Sequence, residues 1–327
     1  LSFADRRLGG FEERPFPPGG SMVSRGQDRE EFADFYKFAT ERQTLFFTPD
    51  DRIKLTRRYT VATAPVSYVG TRELTREIDA LKWVVSDTRR CFLTSTGPSS
   101  LEVYRGNEYY KSSEEYVMAL AEALRVEYEA IVYAGFLLQV DDAWLVALWD
   151  RIGVDIGLEA FKKYCMVRVE ALNHALRNIP EELVRYHLCW GSWHGPHAFD
   201  LPLADIVDVM LAVKAKFYSF EAANVRHEHE YRIWERVRLP EGKVIMPGVV
   251  THSTDLIEHP EVVSERIQGF ARLDGAGSVI ASCDCGFGGR THPQIAWAKL
   301  RALSEGAGLA SQALSRLTVS IVSPLVN

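Results

Sequence analysis

The sequence has few cysteines, no surplus of basic residues and no long apolar run. Five cysteines among 327 residues are too few for a disulfide framework, and their odd number without a signal-peptide pattern favours a reducing compartment, the cytoplasm by default. A formal net charge of −6 without a basic stripe argues against nucleic acid as a partner. The longest apolar stretch, "AIVYAGFLLQV" at 130–140, is shorter than the roughly 18 residues of a membrane span. With 46% hydrophobic and 25% charged residues, the chain has the composition of a globular protein with a full core.

Short apolar runs alternate with longer amphipathic stretches along most of the chain. The runs are "TVATAPVSYV" (60–69), "CFLTSTG" (91–97), "FLLQVDD" (136–142), "RYHLCWG" (185–191), "KFYSFEAAN" (216–224), "VIMPGVVTHS" (244–253) and "VIASCDCGFGG" (279–289). The stretches between them predict helices near 72–88, 113–134, 157–177, 203–214, 258–272 and 293–315. Strands that alternate with helices predict a mainly parallel sheet, either doubly wound or closed into a (β/α)8 barrel.

The positions of the polar residues favour the barrel over the doubly wound sheet. Most of the predicted strands end in residues capable of chemistry, among them Asp141, His187, Glu221, His252 and Cys285. Chemistry at the carboxyl ends of many strands is typical of the top face of a TIM barrel. A doubly wound sheet concentrates its site at one switch point and usually carries a glycine-rich nucleotide motif after its first strand. The α/β fold class is therefore predicted to be a TIM (β/α)8 barrel.

We expect three regions along the chain. Residues 1–58 are predicted to be an N-terminal extension in which a helix at 31–47 packs on the barrel. Residues 59–316 are predicted to form the catalytic barrel, and residues 317–327 a C-terminal tail.

The motif "HLC" at 187–189 raises the question of a metal. Residues two apart on a strand point to the same face, so an imidazole and a thiolate could converge on one ion. Taken alone, an H-x-C motif is weak, because it often occurs by chance. In the same segment, "WHGPH" at 193–197 contains a Gly-Pro turn, and its two histidines are expected to line a pocket mouth without binding metal. "RHEHE" at 226–230 could bind an anion through Arg226, but a solvated loop is favoured.

Two further segments carry potential ligands. In "CDCG", Cys283 and Cys285 are two apart, and one of them could be a small core residue, since free cysteine is often buried. Cys285, nearer the end of the strand, is better placed to reach an ion at the top face. Glu221 follows an apolar strand and needs a partner, either a metal or an arginine.

Four motifs in order resemble the catalytic barrel of the cobalamin-independent methionine synthase family. They are "HLC", "FEAAN", "VVTHS" and "CDCGFGGR", and "QVDD" at 139–142 resembles the family's Q-[IV]-D-E strand. The similarity covers roughly residues 60 to 315. Segments such as "EAANVRHEHE" (221–230) are similar to a short single-barrel branch that includes the epoxyalkane:coenzyme M transferases.

The resemblance implies a metal and the role of each site residue. It implies a catalytic Zn²⁺ held by His187, Cys189, Glu221 and Cys285, with Cys283 dispensable. His252 is implied as the acid that protonates the leaving group, or else as a hydrogen-bonding residue behind the site. Asp141 and Asp142 are implied to bind the thiol substrate, Asp141 through an amino group.

The family's first two barrel strands are not evident in the chain. Family members begin with a strand like T-x-x-G-S-x-P and a second that ends in an acid, and neither pattern occurs here. If the run at 60–69 is a side hairpin, the third to eighth strands are accounted for. We therefore expect a complete barrel to require a further segment, from this polypeptide or another.

The predicted function is zinc-dependent alkyl transfer, most simply of methyl, to a small thiol such as homocysteine, without cobalamin. The partners would be that thiol and an alkyl donor, and homo-oligomer formation is left open. Three alternatives stay open: thiol addition to an epoxide as in the coenzyme M transferases, a metal-free decarboxylase-like barrel of the uroporphyrinogen decarboxylase type, and a degenerate barrel that acts as a subunit or binding protein.

Overall fold

The computed structural model describes residues 4–15, 25–42, 44–45 and 59–322 of the chain. Its strands form two sheets, one of three strands and one of six. The strands are β1 (Leu8–Arg14), β2 (Tyr59–Tyr68), β3 (Phe92–Thr96), β4 (Arg105–Asn107), β5 (Leu137–Asp142), β6 (Val184–Leu188), β7 (Phe217–Phe220), β8 (Val244–Val250) and β9 (Ser282–Cys283).

Helices of very different length connect and flank these strands. They are α1 (Ala4–Arg7), α2 (Gln27–Glu31), α3 (Ala33–Glu41), α4 (Thr71–Val84), α5 (Pro98–Glu102), α6 (Ser113–Tyr133), α7 (Val154–Ile156), α8 (Leu158–Ala175), α9 (Leu203–Leu211), α10 (Pro260–Asp274) and α11 (Pro293–Val322). Among the helices of the described residues, none is long and apolar enough to cross a membrane.

The larger sheet is entirely parallel and contains six of the predicted strands. Its order is β3-β5-β6-β7-β8-β9, so strands that follow one another in this series along the chain lie side by side. Such parallel neighbours need crossover connections, which the intervening helices provide. The predicted alternation of strands and helices is therefore confirmed for the third to eighth barrel strands.

The smaller sheet lies outside the parallel series. The antiparallel partner of β2 is β1, and β2 pairs in parallel with the short β4. The run at 60–69 thus belongs to a side sheet, as expected. Its partner β1 lies in the predicted N-terminal extension, where no strand was predicted, and the boundary at residue 58 falls between two paired strands.

Two helical regions differ from their predicted bounds. In place of one helix at 31–47 there are α2 and α3, which Phe32 separates, and α3 ends at Glu41. Residues 43, 46 and 47 lie outside the described residues. At the other end, α11 continues through Val322, so the predicted tail at 317–327 begins inside a helix, and residues 323–327 are outside the described part of the chain.

Opposite faces of the parallel strands have opposite character, which positions the site. On the helix-facing side, Val140, Tyr186 and Tyr218 are completely buried. On the other side, in-register neighbours at one level of the sheet are Thr96, Asp141, His187, Ser219 and Met246. Because successive side chains on a strand alternate between faces, this polar row lies on the interior side of the sheet.

The N-terminal helices are fixed to the carboxyl-end segment after β6. The Asp28 carboxylate accepts hydrogen bonds from the Ala198 backbone N–H at 2.9 Å and from the Tyr36 hydroxyl at 2.5 Å. The Tyr36 oxygen also accepts from Trp193 Nε1 at 3.0 Å, and the Asp28 N–H donates to Asp150 at 3.0 Å. These buried bonds hold α2 and α3 beside the turn at 191–198.

Candidate metal centre

Three predicted ligands converge at the carboxyl ends of β6 and β9. One ligand atom each from His187, Cys189 and Cys285 lies within 4.8 Å of the others. The two sulfurs, Cys189 Sγ and Cys285 Sγ, are 3.9 Å apart. Residues 187 and 189 reach the same point because they are two apart along one strand and its extension. The group could hold a metal ion.

Glu221 lies at the edge of this group. Its Oε1 is 3.5 Å from Cys189 Sγ and accepts the Trp190 backbone N–H at 3.1 Å, and its Oε2 accepts from Asn224 Nδ2 at 2.8 Å. The side chain is buried, and burial raises the pKa of Glu221 to about 8. Among the described residues its hydrogen-bond partners are these groups rather than an arginine.

His187 presents a ring nitrogen to the two sulfurs. Its Nδ1 is 3.0 Å from Ser219 Oγ, whereas its buried Nε2 has no hydrogen-bond partner among the described residues. Burial lowers the pKa of His187, but the adjacent Cys285 outweighs burial and raises this pKa to about 9. When the Nδ1–H donates to Ser219 Oγ, the lone pair of Nε2 is available to an ion.

The two thiols share their protons unequally. The Cys189 thiol, which donates to Cys285, holds the pKa of Cys285 well below its usual range, and this same bond raises the pKa of Cys189. An ion bound by these atoms would displace the protons that they carry, because thiolate and neutral imidazole are the ligand forms. One imidazole nitrogen, two sulfurs and a nearby carboxylate are a donor set that fits a metal.

The other motif cysteine does not join the group. Cys283 is half-buried on β9 and is absent from the cluster of converging ligand atoms. Burial raises the pKa of Cys283 to about 12, so the thiol form dominates at neutral pH.

The two adjacent acids at the end of β5 lie on opposite faces. Asp141 is in register with His187, accepts from Gln139 Nε2 at 2.8 Å, and burial raises its pKa against the opposing effect of His187. Asp142 points to the helix side, where it accepts hydrogen bonds from the hydroxyls of Ser99, Ser100 and Tyr186. Asp142 was predicted to bind substrate; the structure does not bring its carboxylate to the metal group, because neighbouring strand residues alternate in direction.

His252 lies beyond the end of β8 and faces a cleft above the cluster. The side chain is 4% exposed, and its Nδ1 has no hydrogen-bond partner among the described residues. Burial lowers the pKa of His252, and the charge of Cys285 opposes this effect. The cleft has a volume of about 390 Å³, and Glu221 and His252 both line it.

The turn after Cys189 forms one wall of this cleft. Trp193, His194 and His197 line it, as expected for histidines at a pocket mouth. His197 has a positive φ of 53° and stacks on Trp193 with ring centroids 4.2 Å apart. Both ring nitrogens are occupied, Nδ1 by Asp200 at 2.9 Å and Nε2 by the Trp193 carbonyl at 3.1 Å.

The segment 226–230 is largely exposed, as the solvated-loop interpretation expects, except at His227. Arg226 is exposed and donates to the Ala198 carbonyl at 2.6 Å, but His227 is buried. His227 lies between two acids, 3.2 Å from Asp200 and 2.9 Å from Glu230. Burial lowers the pKa of His227, yet its bonds to these carboxylates prevail and raise the pKa to about 10.

One buried residue to which the sequence analysis assigned no role is Asp284. Its fully buried carboxylate accepts the backbone N–H groups of Ala222 and Ala223, each at 2.8 Å. It thereby joins the residue before Cys285 to the two residues after Glu221. The only signal in the sequence was its place inside "CDCG".

Comparison with known proteins agrees with the fold and the motifs. No family model matches the chain. The chain is 25% identical over 239 residues to the methionine synthase of Saccharolobus solfataricus, a match that covers 72% of this chain and 63% of that protein. It is 24% identical over 242 residues to the methionine synthase of Thermococcus kodakarensis, covering 73% and 63%. The chain therefore spans less than two thirds of the length of these relatives.

A solved structure shows the same fold. The B12-independent methionine synthase from Shewanella sp. W3-18-1, in complex with selenomethionine, superposes with a TM-score of 0.69 at 17% identity, over 97% of this chain and 80% of that one. The fold is thus the α/β barrel predicted from the sequence. The resemblance to the methionine synthase family is confirmed.

Proposed function

We propose that this relative of the cobalamin-independent methionine synthases transfers an alkyl group, most simply methyl, to a small thiol such as homocysteine in a zinc-dependent reaction. The observation that carries the proposal is the convergence of His187, Cys189 and Cys285 beside Glu221. The named relatives support the substrate class, since two of them are methionine synthases.

Zinc fits the donor set better than other common ions. Thiolate and imidazole ligands suit zinc, whose tetrahedral sites have four protein donors when structural and three plus a water or substrate when catalytic. His187 would contribute Nε2, the cysteines their sulfurs, and Glu221 a carboxylate oxygen. Bound there, zinc supplies a Lewis acid that favours the thiolate form of an incoming thiol near neutral pH. Free cysteines at positions 189 and 285, with sulfurs 3.9 Å apart, also favour a reducing compartment, which supports a cytoplasmic location.

The chain's own residues would position the two substrates. Asp141, in register with His187 on the interior face, would hold the amino group of an amino-acid thiol. His252 would deliver a proton to the leaving group, since this residue lines the cleft and its Nδ1 has no hydrogen-bond partner among the described residues. Because burial lowers its pKa, its protonated form is the minor one at neutral pH and is a stronger acid than an unperturbed imidazolium. The rate of transfer should therefore rise as the pH falls toward the pKa of His252.

Metal analysis is the first test. We expect purified wild-type protein to contain one zinc per chain when its metal content is measured by inductively coupled plasma mass spectrometry. Cys189→Ser should reduce this to well under half an equivalent, and Cys283→Ser, a matched change outside the cluster, should leave it unchanged. If the wild type holds no zinc, or both variants behave alike, a metal-free decarboxylase-like barrel or a binding protein becomes the better account.

Activity is tested with a thiol and three kinds of alkyl donor. Homocysteine is incubated with a methylated folate, a methylated small molecule or an epoxide, and the product is identified by mass. His252→Ala should slow transfer while leaving thiol binding nearly intact, because a leaving-group acid acts mainly in the transition state. Zinc-edge absorption should show an added sulfur ligand when the thiol binds. If no thiol adds sulfur, the metal is structural and the transferase proposal fails.

A further inference from the structure

Two exposed apolar side chains stand at the cleft that leads to the metal group. Phe35, on α3, is 41% exposed, and Val225, shortly after β7, is 89% exposed, and both line the same cleft as Glu221 and His252. Single exposed apolar residues are ordinary on a protein surface. A pair of them at a cleft that Trp193 and Pro196 also line is a place where an apolar ligand would displace water.

Phe35 is held in this place by its neighbour. Tyr36 is buried, and its hydroxyl joins Asp28 and Trp193 Nε1 in hydrogen bonds of 2.5 and 3.0 Å. The rings of Phe35 and Tyr36 pack edge to face with centroids 5.3 Å apart. The position of Phe35 is therefore set before any ligand binds, which lowers the entropic cost of a contact with it.

We propose that Phe35 and Val225, the apolar rim of the cleft, contact the apolar part of the alkyl donor and determine which donors the protein accepts. This inference rests on the proposed function and assigns the rim to the donor rather than to the thiol. The thiol must reach the buried sulfur and imidazole groups, which lie beside Glu221, a residue that lines the cleft. The donor's reacting carbon must approach that thiol from the open side, so the rest of the donor lies toward the rim.

The test compares two phenylalanines on the same helix. Phe35→Ala removes the rim ring, and Phe38→Ala is the matched control, because Phe38 is 51% exposed on α3 and does not line the cleft. With homocysteine and 5-methyltetrahydrofolate, Phe35→Ala should lower kcat/KM for the donor about tenfold, mainly through KM, since it removes part of one buried phenyl contact. The KM for homocysteine and the kinetics of Phe38→Ala should match the wild type.

The smaller rim residue provides a second variant. Val225→Ser alters an almost fully exposed side chain, so the fold should not suffer, and it should shift the donor KM in the same direction as Phe35→Ala. With epoxypropane as donor, which is too small to span the rim, both variants should match the wild type. Equal loss with both donors, or a change in kcat alone, would overturn the assignment.

A binding measurement distinguishes an error in the assignment of the rim from an error in the proposed function. The probe is 8-anilinonaphthalene-1-sulfonate, an aromatic anion, titrated by its fluorescence. If no donor supports transfer, the proposed function fails, but Phe35→Ala should still weaken binding of the probe about tenfold relative to Phe38→Ala. If the two variants bind the probe with equal affinity, the rim does not contact ligands and the inference is wrong.

Discussion

Replacement of Asp284 by alanine should both destabilise the protein and weaken its metal site. The Asp284 carboxylate is completely buried, and its Oδ1 accepts two backbone N–H groups at 2.8 Å. A hydrogen bond to a charged group contributes about 1.5–3 kcal/mol, so loss of both predicts a decrease of about 3–6 kcal/mol in the free energy of unfolding. Asp284→Asn keeps an oxygen in the same place and should lose about half as much.

Urea unfolding provides the measurement of stability. The midpoint should fall for Asp284→Ala while the m-value stays constant, since the change should not alter the surface exposed on unfolding. The metal should respond as well, because Ala222 and Ala223 directly follow Glu221 and Asp284 directly precedes Cys285. Loss of such a supporting residue typically lowers metal affinity 10–100-fold, which competition with a chelating dye would detect.

A change on the neighbouring strand provides an independent check. A Cβ on Gly248 would collide with Asp284 Oδ1 and lie 2.7 Å from the Asp284 backbone nitrogen. Gly248→Ala should therefore displace the carboxylate and reproduce both effects without altering its charge. If Asp284→Ala unfolds within about 1 kcal/mol of the wild type and retains its zinc affinity, the role assigned to this carboxylate is refuted.

Two further predictions concern the walls of the cleft. The pKa of His227 is raised from 6.5 to about 10, so the stability that its charge provides is complete below about pH 6.5 and is lost as the pH rises through about 10. His227→Gln should therefore lower the free energy of unfolding by about 3 kcal/mol at pH 6. In urea titrations, this difference from wild type should shrink by pH 10. A constant difference would mean that the imidazolium charge is not the cause. Tyr36→Phe leaves Trp193 Nε1 without its acceptor and should lower the stability of the docked α3 by about 1–3 kcal/mol. Amide hydrogen exchange should become faster in α3 and stay unchanged in β5. Equal acceleration in both would indicate global destabilisation instead.

The parallel strands could be predicted because their sequence pattern follows from their burial. Strands covered by helices read as apolar runs, and "FLLQVDD" and "KFYSFEAAN" contain β5 and β7. By contrast β1, "LGGFEER", has two glycines and three charges, and it forms a strand because its backbone pairs with β2. Pairing of this kind depends on a partner more than 40 residues away and leaves no periodic pattern in the segment itself.

In the site as well, features that depend on a local sequence pattern could be predicted, and features that depend on distant residues could not. The pair His187 and Cys189 could be predicted from the two-residue period of a strand, which applies within one segment. The burial of His227 could not, because its partner Asp200 lies 27 positions away and belongs to the turn beyond β6. Which of Asp141 and Asp142 faces the interior depends on strand register, and a single sequence does not specify register.

The hydrogen bonds of the site also differ in the sequence separation of the residues that they join. Those between β6 and β7, such as Cys189 with Glu221, span 32 positions, and Cys189 with Cys285 spans 96. Those that hold the N-terminal helices to the cleft wall span 157 and 170 positions. Because closing a longer loop costs more entropy and distant contacts form slowly, we expect the ligand cluster to assemble before α3 docks. During folding, an ion would then reach its ligands through a cleft whose outer wall is still open.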